Sequence, residues 1–195
     1  MTVTGLTSGF NEAFAVSAGN DFSCALNRNI VTAASSVRCW GDNGYGQLGN
    51  GAAGTVFTAP VTVTGVSNVL AISSGGSDRT CVLLAGGSLK CWGRNGGALG
   101  NGTVTAYSST AVPVTGITTA TMVSVGGDHS CAANGTSGDA WCRGTNGNGE
   151  LGDGLVSIGR SVPYFLGGTL NATSISAGSP SGNGTSKTSR TACAR

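Results

Sequence analysis

An all-β array of repeated units is the fold class predicted by this 195-residue sequence. Three observations predict it. A glycine-rich block is written three times, at Cys39–Gly51, Cys91–Gly102 and Cys142–Gly154, with a period of about fifty residues; such a period marks an array of one supersecondary unit. Short runs of β-forming residues are punctuated by 35 glycines. No window of a dozen residues carries apolar side chains at the helical period, so almost no helix is expected.

Each unit opens on a short strand, at Ala15–Ala18, Ala71–Ser74 and Val123–Val125. A Gly-x-Asp-x-Ser/Thr-Cys landmark follows: Asp21 precedes Cys24, Asp78 precedes Cys81 and Asp128 precedes Cys131. The second strands are Ser23–Leu26, Thr80–Leu84 and Ser130–Ala133. The third are Val37–Trp40, Leu89–Trp92 and Ala140–Cys142. The glycine-rich block comes next, and the unit closes on Pro60–Thr64, on Pro113-Val114-Thr115-Gly116, or on a degraded Pro163–Gly167. Val and Thr alternate in Pro60–Thr64, the pattern of a half-buried strand. Residues 2–6 copy this closing landmark and residues 175–178 copy the opening one. The chain therefore divides into the end of one repeat (1–13), three repeats (14–66, 67–117, 118–168) and the start of another (169–195). That last part carries a Ser/Gly/Lys-rich insertion at Ser179–Ser189, read as a mobile loop.

Seven cysteines form three pairs and a remainder. The midpoint of Cys81 and Cys91 is Gly86, which predicts a hairpin with the loop Ala85-Gly86-Gly87. The midpoint of Cys131 and Cys142 falls between Thr136 and Ser137, in a four-residue turn. Cys24 and Cys39 are separated by a longer connection, residues 27–36. In such hairpins the paired cysteines stand opposite each other, with Cα atoms roughly 4.5–5.5 Å apart, within disulfide reach. Three disulfides are expected: Cys24–Cys39, Cys81–Cys91 and Cys131–Cys142. Buried thiols in a reducing cytosol are the alternative, and recurrence in register favours the disulfides. Cys193 is left as an unpaired thiol. With no Cys-x-x-Cys and one histidine, His129, a zinc site is not expected.

Charged residues make up 9% of the chain, against about 25% in ordinary soluble domains. The net charge of +2 is too small to imply a nucleic-acid partner. There is no apolar run long enough for a membrane span, and Met1–Thr4 does not open a signal peptide. Low charge and paired cysteines suggest an extracytoplasmic protein: secreted, periplasmic or on the cell surface. The chain reads as a piece of a longer exported protein, or as a mature segment. Asn-x-Ser/Thr triplets at Asn101, Asn134, Asn171 and Asn183 would matter only in a host that glycosylates.

Gly127-Asp128-His129-Ser130-Cys131-Ala132, the block Cys39–Gly51 and the close at Pro60–Gly65 together resemble the repeat of the regulator of chromosome condensation family. The likeness runs from about residue 1 to residue 178. It implies a β-propeller with one four-stranded blade per repeat, seven in typical members, and its cysteine-bearing form is similar to repeats of large bacterial exported proteins. Three whole repeats cannot close a ring, since propellers need about four to eight blades. The fold expected is therefore an open propeller, or a fragment lacking further repeats. Two copies could instead complete one homo-oligomeric ring.

Motifs that look catalytic carry little. Gly44–Gly49 and Gly147–Gly152 match the dinucleotide fingerprint, but residues 50–54 will not form the helix that such a site needs. Gly182–Thr188 lacks the glycine that precedes the phosphate-loop lysine. His129 reads as structural, its counterparts being Phe22 and Arg79. The recurring Asp21, Asp78 and Asp128 are expected to satisfy turn N–H groups of their own blades. Trp40 and Trp92 are expected to pack between blades, with Arg143 standing where the third tryptophan belongs. Asp42, Asn43 and Asn50 lack the acidic loop of a calcium site.

The function expected is a non-catalytic scaffold for an unidentified protein partner, without cofactor. The loops that vary most between units, 27–36, 52–59, 103–111, 155–162 and 179–190, are where recognition would lie. Tyr45, Phe57 and Tyr107 are the candidate contact residues. The resemblance also implies two alternatives: a guanine-nucleotide exchange factor for a small GTPase, and a propeller-type enzyme inhibitor.

Overall fold

The computed structural model describes residue 6 and residues 11–167, 174–178 and 192–193. The expected insertion loop, the phosphate-loop reading, Asn171, Asn183 and most of the strand copy at residues 2–6 lie outside the described residues. So does the side chain of Cys193.

Among the described residues there is no helix. Three four-stranded antiparallel sheets follow one another along the chain, each in simple meander order. The first holds β1 (Asn11–Ala18), β2 (Phe22–Asn29), β3 (Ser35–Gly41) and β4 (Phe57–Thr62). The second holds β5 (Val69–Gly75), β6 (Arg79–Leu84), β7 (Leu89–Arg94) and β8 (Tyr107–Pro113). The third holds β9 (Met122–Val125), β10 (His129–Ala133), β11 (Ala140–Asn146) and β12 (Ser157–Gly167). A further pair, β13 (Ile175–Ser176) with β14 (Ala192–Cys193), starts a fourth unit. The opening strands β1, β5, β9 and β13 lie next to one another, so the sheets fan out as blades from a shared inner edge.

The hairpin expectations hold in detail for the second and third units. Leu83 pairs with Leu89 around the loop at 85–87, and Ala133 pairs with Ala140 around 134–139. The first unit differs. Residues 27–29 and 35–36 extend the ladder, and Asn29 donates its N–H to the Ala34 carbonyl at 2.8 Å. Its connection is therefore a tight turn rather than a long loop, because Asn29 Oδ1 accepts from Val31 and Thr32 N–H and closes it locally. The closing strand also starts earlier than Pro60, at Phe57.

The three disulfides join Cys24 to Cys39, Cys81 to Cys91 and Cys131 to Cys142, each a directly opposed pair with Cα atoms 4.0, 4.1 and 4.2 Å apart. Side chains alternate across a strand, and here both faces are buried. Val82 and Trp92 of the second sheet pack with Leu26, Val37 and Leu48 of the first. Cys81, Leu83 and Leu89 face the other way, onto Val125 and Ala132 of the third. Each disulfide thus lies in a seam between units.

Two further devices bind the seams. Ser17 Oγ accepts from Ser74 N–H at 2.7 Å, Ser73 Oγ from Val125 N–H at 3.0 Å, and Ser124 Oγ from Ala177 N–H at 2.9 Å. This serine ladder ties each opening strand to the next. On the far side of the core, Trp92 donates its indole N–H to the Gln47 carbonyl of the preceding unit at 2.9 Å. It stands over Gly49, where an added Cβ would meet the indole at 2.8 Å and Val63 at 2.9 Å. Arg143 occupies the same place one unit on. It stands over Gly100 beside Val114 and donates Nε–H to the Ala98 carbonyl at 3.2 Å. Its Nη2 points at Cys91 Sγ (2.9 Å) and Cys81 Sγ (3.3 Å), while Nη1 is buried without a partner. Complete burial pushes its pKa down to about 9. The group therefore stays a cation at neutral pH, its desolvation offset only in part by the Nε and Nη2 contacts.

Removing Cys24 and Cys39 together by alanine should cost about 3 kcal/mol, the loop-closure term for their spacing, read as a lower guanidinium midpoint. Arg143→Trp, which copies the Trp92 seam, should raise stability by about 1–4 kcal/mol in urea melts, equally at pH 6 and pH 8. A loss of stability would contradict the reading of this position as a tryptophan socket.

Candidate recognition surface

The long loop between the third and fourth strand of each unit is built on two requirements. Gly41, Gly93 and Gly144 have φ of 108°, 94° and 106°, and a Cβ on any of them would strike the carbonyl of Asp21, Asp78 or Asp128. Those carbonyls accept from the N–H of Asp42, Arg94 and Thr145 at 2.8, 2.8 and 2.9 Å. The recurring aspartates thus serve the loops of their own blades through their backbone carbonyls. The reason is geometric: the glycine lets the chain pass close enough for a main-chain bond.

The second requirement is a buried asparagine. Asn43, Asn95 and Asn146 are 0%, 1% and 0% exposed. Their Oδ1 atoms accept from the N–H of Leu48, Leu99 and Leu151 at 3.1, 3.2 and 3.0 Å. Their Nδ2 atoms donate onward to the carbonyls of Ala52, Thr103 and Leu155 at 3.1, 3.2 and 3.2 Å. One amide holds both ends of each glycine-rich loop, and the leucine is its buried anchor. The segments matching the dinucleotide fingerprint are therefore tight turns that lead into no helix.

These turns display side chains at one end of the blades. Tyr45 is 40% exposed and Tyr107 is 44% exposed. Arg94, exposed at the end of β7, places its guanidinium 5.1 Å from the centre of the Tyr45 ring. It is also the direct partner of Tyr107 in the β7–β8 register. The structure so joins Tyr45 and Tyr107, from adjacent units, through an arginine that sequence reasoning passed over. Its only sequence signal is position: Arg94 fills the variable place of Cys-x-Gly-x-Asn, where the other units have Asp42 and Thr145. Phe57 does not join them; it is partly buried and packs against the first core cluster, because β4 begins there and its alternation turns the ring inward.

Carboxylates surround this cluster. Burial, followed by the nearby Asp42 charge, raises the Asp78 pKa, and Arg94 opposes the rise. Asp42 accepts from Gln47 Nε2 at 2.6 Å. At the third unit, Asp153 receives both Nε and Nη2 of Arg160 at 3.0 and 2.8 Å, which holds its carboxyl below the usual range.

Phe22, Arg79 and His129 share one register position and are all buried, at 3%, 2% and 3% exposure. Arg79 reaches forward, donating Nη1–H to the Gly127 carbonyl at 2.9 Å and standing 3.5 Å from Asp128 Oδ1. His129 is sealed in, its Nε2 without a partner, and burial lowers its pKa. It is placed to pack, not to meet a substrate. The opposite end of the blades carries a cavity of about 320 Å³ among Phe14, Leu26, Arg28, Val69 and Leu70. It is largely apolar, with Arg28 over the Phe14 ring as its one cation.

Comparison with known proteins agrees with this architecture. The model of the regulator of chromosome condensation (RCC1) repeat matches residues 36–82, and a second model of the same repeat matches residues 69–97. The structure of Prp20p from Saccharomyces cerevisiae superposes with a TM-score of 0.73 at 20% identity, covering 86% of this chain and 42% of that one. Yeast RCC1 (Prp20) bound to Kap60 gives 0.72 at 20% identity, covering 85% and 40%. Human WBSCR16 gives 0.66 at 23% identity, covering 82% and 39%. The chain thus spans about two fifths of the length of the solved structures it matches, and its three sheets are blades of a partial β-propeller.

A histidine kept neutral by burial contributes stability that falls as pH drops below its ordinary 6.5 toward its lowered native value, because the unfolded chain takes up the proton first. His129→Phe, copying Phe22, should therefore flatten the decline of the melting temperature between pH 7 and pH 5. An unchanged slope would mean that His129 titrates freely in the fold.

Proposed function

The chain is built of RCC1 repeats, and we propose that it is a non-catalytic scaffold that contacts a protein partner through the Tyr45–Arg94–Tyr107 rim. The observation that carries this reading is the cluster itself. Two exposed tyrosines from neighbouring blades flank an exposed arginine, on turns fixed by buried asparagines. Tyr and Arg are the residues most enriched where interfaces concentrate their energy. Preorganised loops lower the entropy cost of docking.

Structural relatives support a protein-binding role by analogy. The yeast Prp20p work concerns binding to Gsp1p and histones, and the other yeast structure contains Kap60. At 20% identity these set the fold alone, so the partner of this chain is identified only by chemistry. The rim offers a cation over the Tyr45 ring and beside Tyr107 in the ladder, with Asp21, Asp42 and Asp78 nearby, which suits a mixed polar and aromatic protein surface. Three disulfides favour an oxidising, extracytoplasmic compartment, as part of a larger exported or cell-surface protein. A GTPase regulator would instead accelerate nucleotide release from a small GTPase, an assay that separates the two readings.

The test compares proteins retained by the immobilised chain, by the Tyr45→Ser/Arg94→Ser double variant and by Val31→Ser at the opposite end of the blades. The partner should fall about tenfold or more in the double variant, as expected for loss of central aromatic and arginine contacts, and stay unchanged with Val31→Ser. Equal retention by all three would place recognition elsewhere.

A further inference from the structure

We infer that Cys81–Cys91 is the redox-active disulfide of this chain, because Arg143 holds its reduced form as a thiolate–guanidinium pair. The contact is already in place across the seam between the second and third sheets. Arg143 Nη2 stands 2.9 Å from Cys91 Sγ and 3.3 Å from Cys81 Sγ, and all three residues are 0% exposed. A disulfide sulfur is an uncharged, weak acceptor. A thiolate would give the buried cation a partner of opposite charge.

The surroundings leave that role open. Among the described residues no carboxylate forms an ion pair with Arg143, and its Nη1 has no hydrogen-bond partner. Ser73 and Val112 flank the two cysteines in the ladder, and Leu83, Leu99, Val125 and Ala132 pack around them. Arg79 is the other charge that acts on Arg143, and it is itself paired with Asp128. The remaining disulfides lack such a cation. Cys24–Cys39 lies with Trp92 in an apolar cluster, the Thr80 hydroxyl 3.8 Å from Cys24 Sγ. Cys131–Cys142 packs with Leu151, Leu166 and Ile175. A thiolate in either place would be buried without a counter-charge, so reduction there takes up two protons.

The reductant is a small dithiol. Its thiolate attacks one protein sulfur, the S–S bond breaks, and closure of the dithiol's own disulfide releases the second protein sulfur. The dithiol gives up two electrons and two protons. One proton goes to Cys81, the other to solvent, and Cys91, the nearer to Nη2, keeps the charge. Both sulfurs are buried, so exchange waits on opening of the seam; the effect lies in the equilibrium and not in the rate.

The test equilibrates the whole chain with reduced and oxidised dithiothreitol between pH 6 and pH 8, traps thiols by alkylation and reads each cysteine pair by peptide mass spectrometry. For Cys24–Cys39 the equilibrium constant should be flat, because protein and reagent exchange two protons. For Cys81–Cys91 it should rise with pH toward about tenfold per unit, the signature of one proton released. Arg143→Trp, and Arg143→Gln with polarity but no charge, should lower it at pH 8 by about tenfold or more, which is about 30 mV for a two-electron couple, and should abolish its pH dependence. Cys24–Cys39 in the same samples reports any general change in fold stability, which would move both bonds together. A flat equilibrium constant for Cys81–Cys91 in wild type, or a pH dependence that both variants keep, overturns the proposal.

Discussion

A sheet that is apolar on both faces cannot stand alone in water, and everything in this structure follows from that constraint. The middle sheet buries Val82 and Trp92 on one side and Leu83 and Leu89 on the other. Neither face is available to solvent, so its stability is the stability of its seams. The seams are more than oily contact. A serine hydroxyl receives an N–H of the next opening strand, a disulfide lies in the core, and an indole or guanidinium caps a glycine turn of the unit before. Directional bonds at the inner and outer ends of each seam fix the register at which neighbouring blades meet.

Within that frame the units are not copies. The register position held by Phe22, Arg79 and His129 accepts an aromatic ring, a cation and a neutral imidazole, all buried. The tryptophan socket accepts an indole at one seam and a guanidinium with one unpartnered nitrogen at the next. The Arg143 seam gives up desolvation energy that an indole would not.

Much of the fold was legible because its signals are local. Hairpin midpoints locate the cysteine pairs, since a pair in register needs only the turn between its strands to be read correctly. The connection at 27–36 reads as long in the sequence because Asn29 closes the turn with its own side chain, a bond that spacing does not reveal. Phe57 reads as a rim residue in the sequence because the Val/Thr alternation begins at Pro60, while the ladder begins at Phe57 itself. The serine ladder, the buried asparagines and Arg94 depend on partners in other units or on burial, so their residue types alone point nowhere. The candidate rim is half visible: Tyr45 and Tyr107 stand out as aromatics in variable segments, but only the structure brings Arg94 onto the Tyr45 ring and opposite Tyr107 in the ladder.

Native-state hydrogen exchange tests the central claim most directly, by following the amides of β2 and β3 together with those of β6 and β7 after Trp92→Ala. If blades are stable only through their seams, protection should fall in the first sheet as much as in the second, although the substitution lies in the second. Loss confined to β6 and β7, with β2 and β3 as protected as before, would show that each sheet holds itself together and would contradict the account.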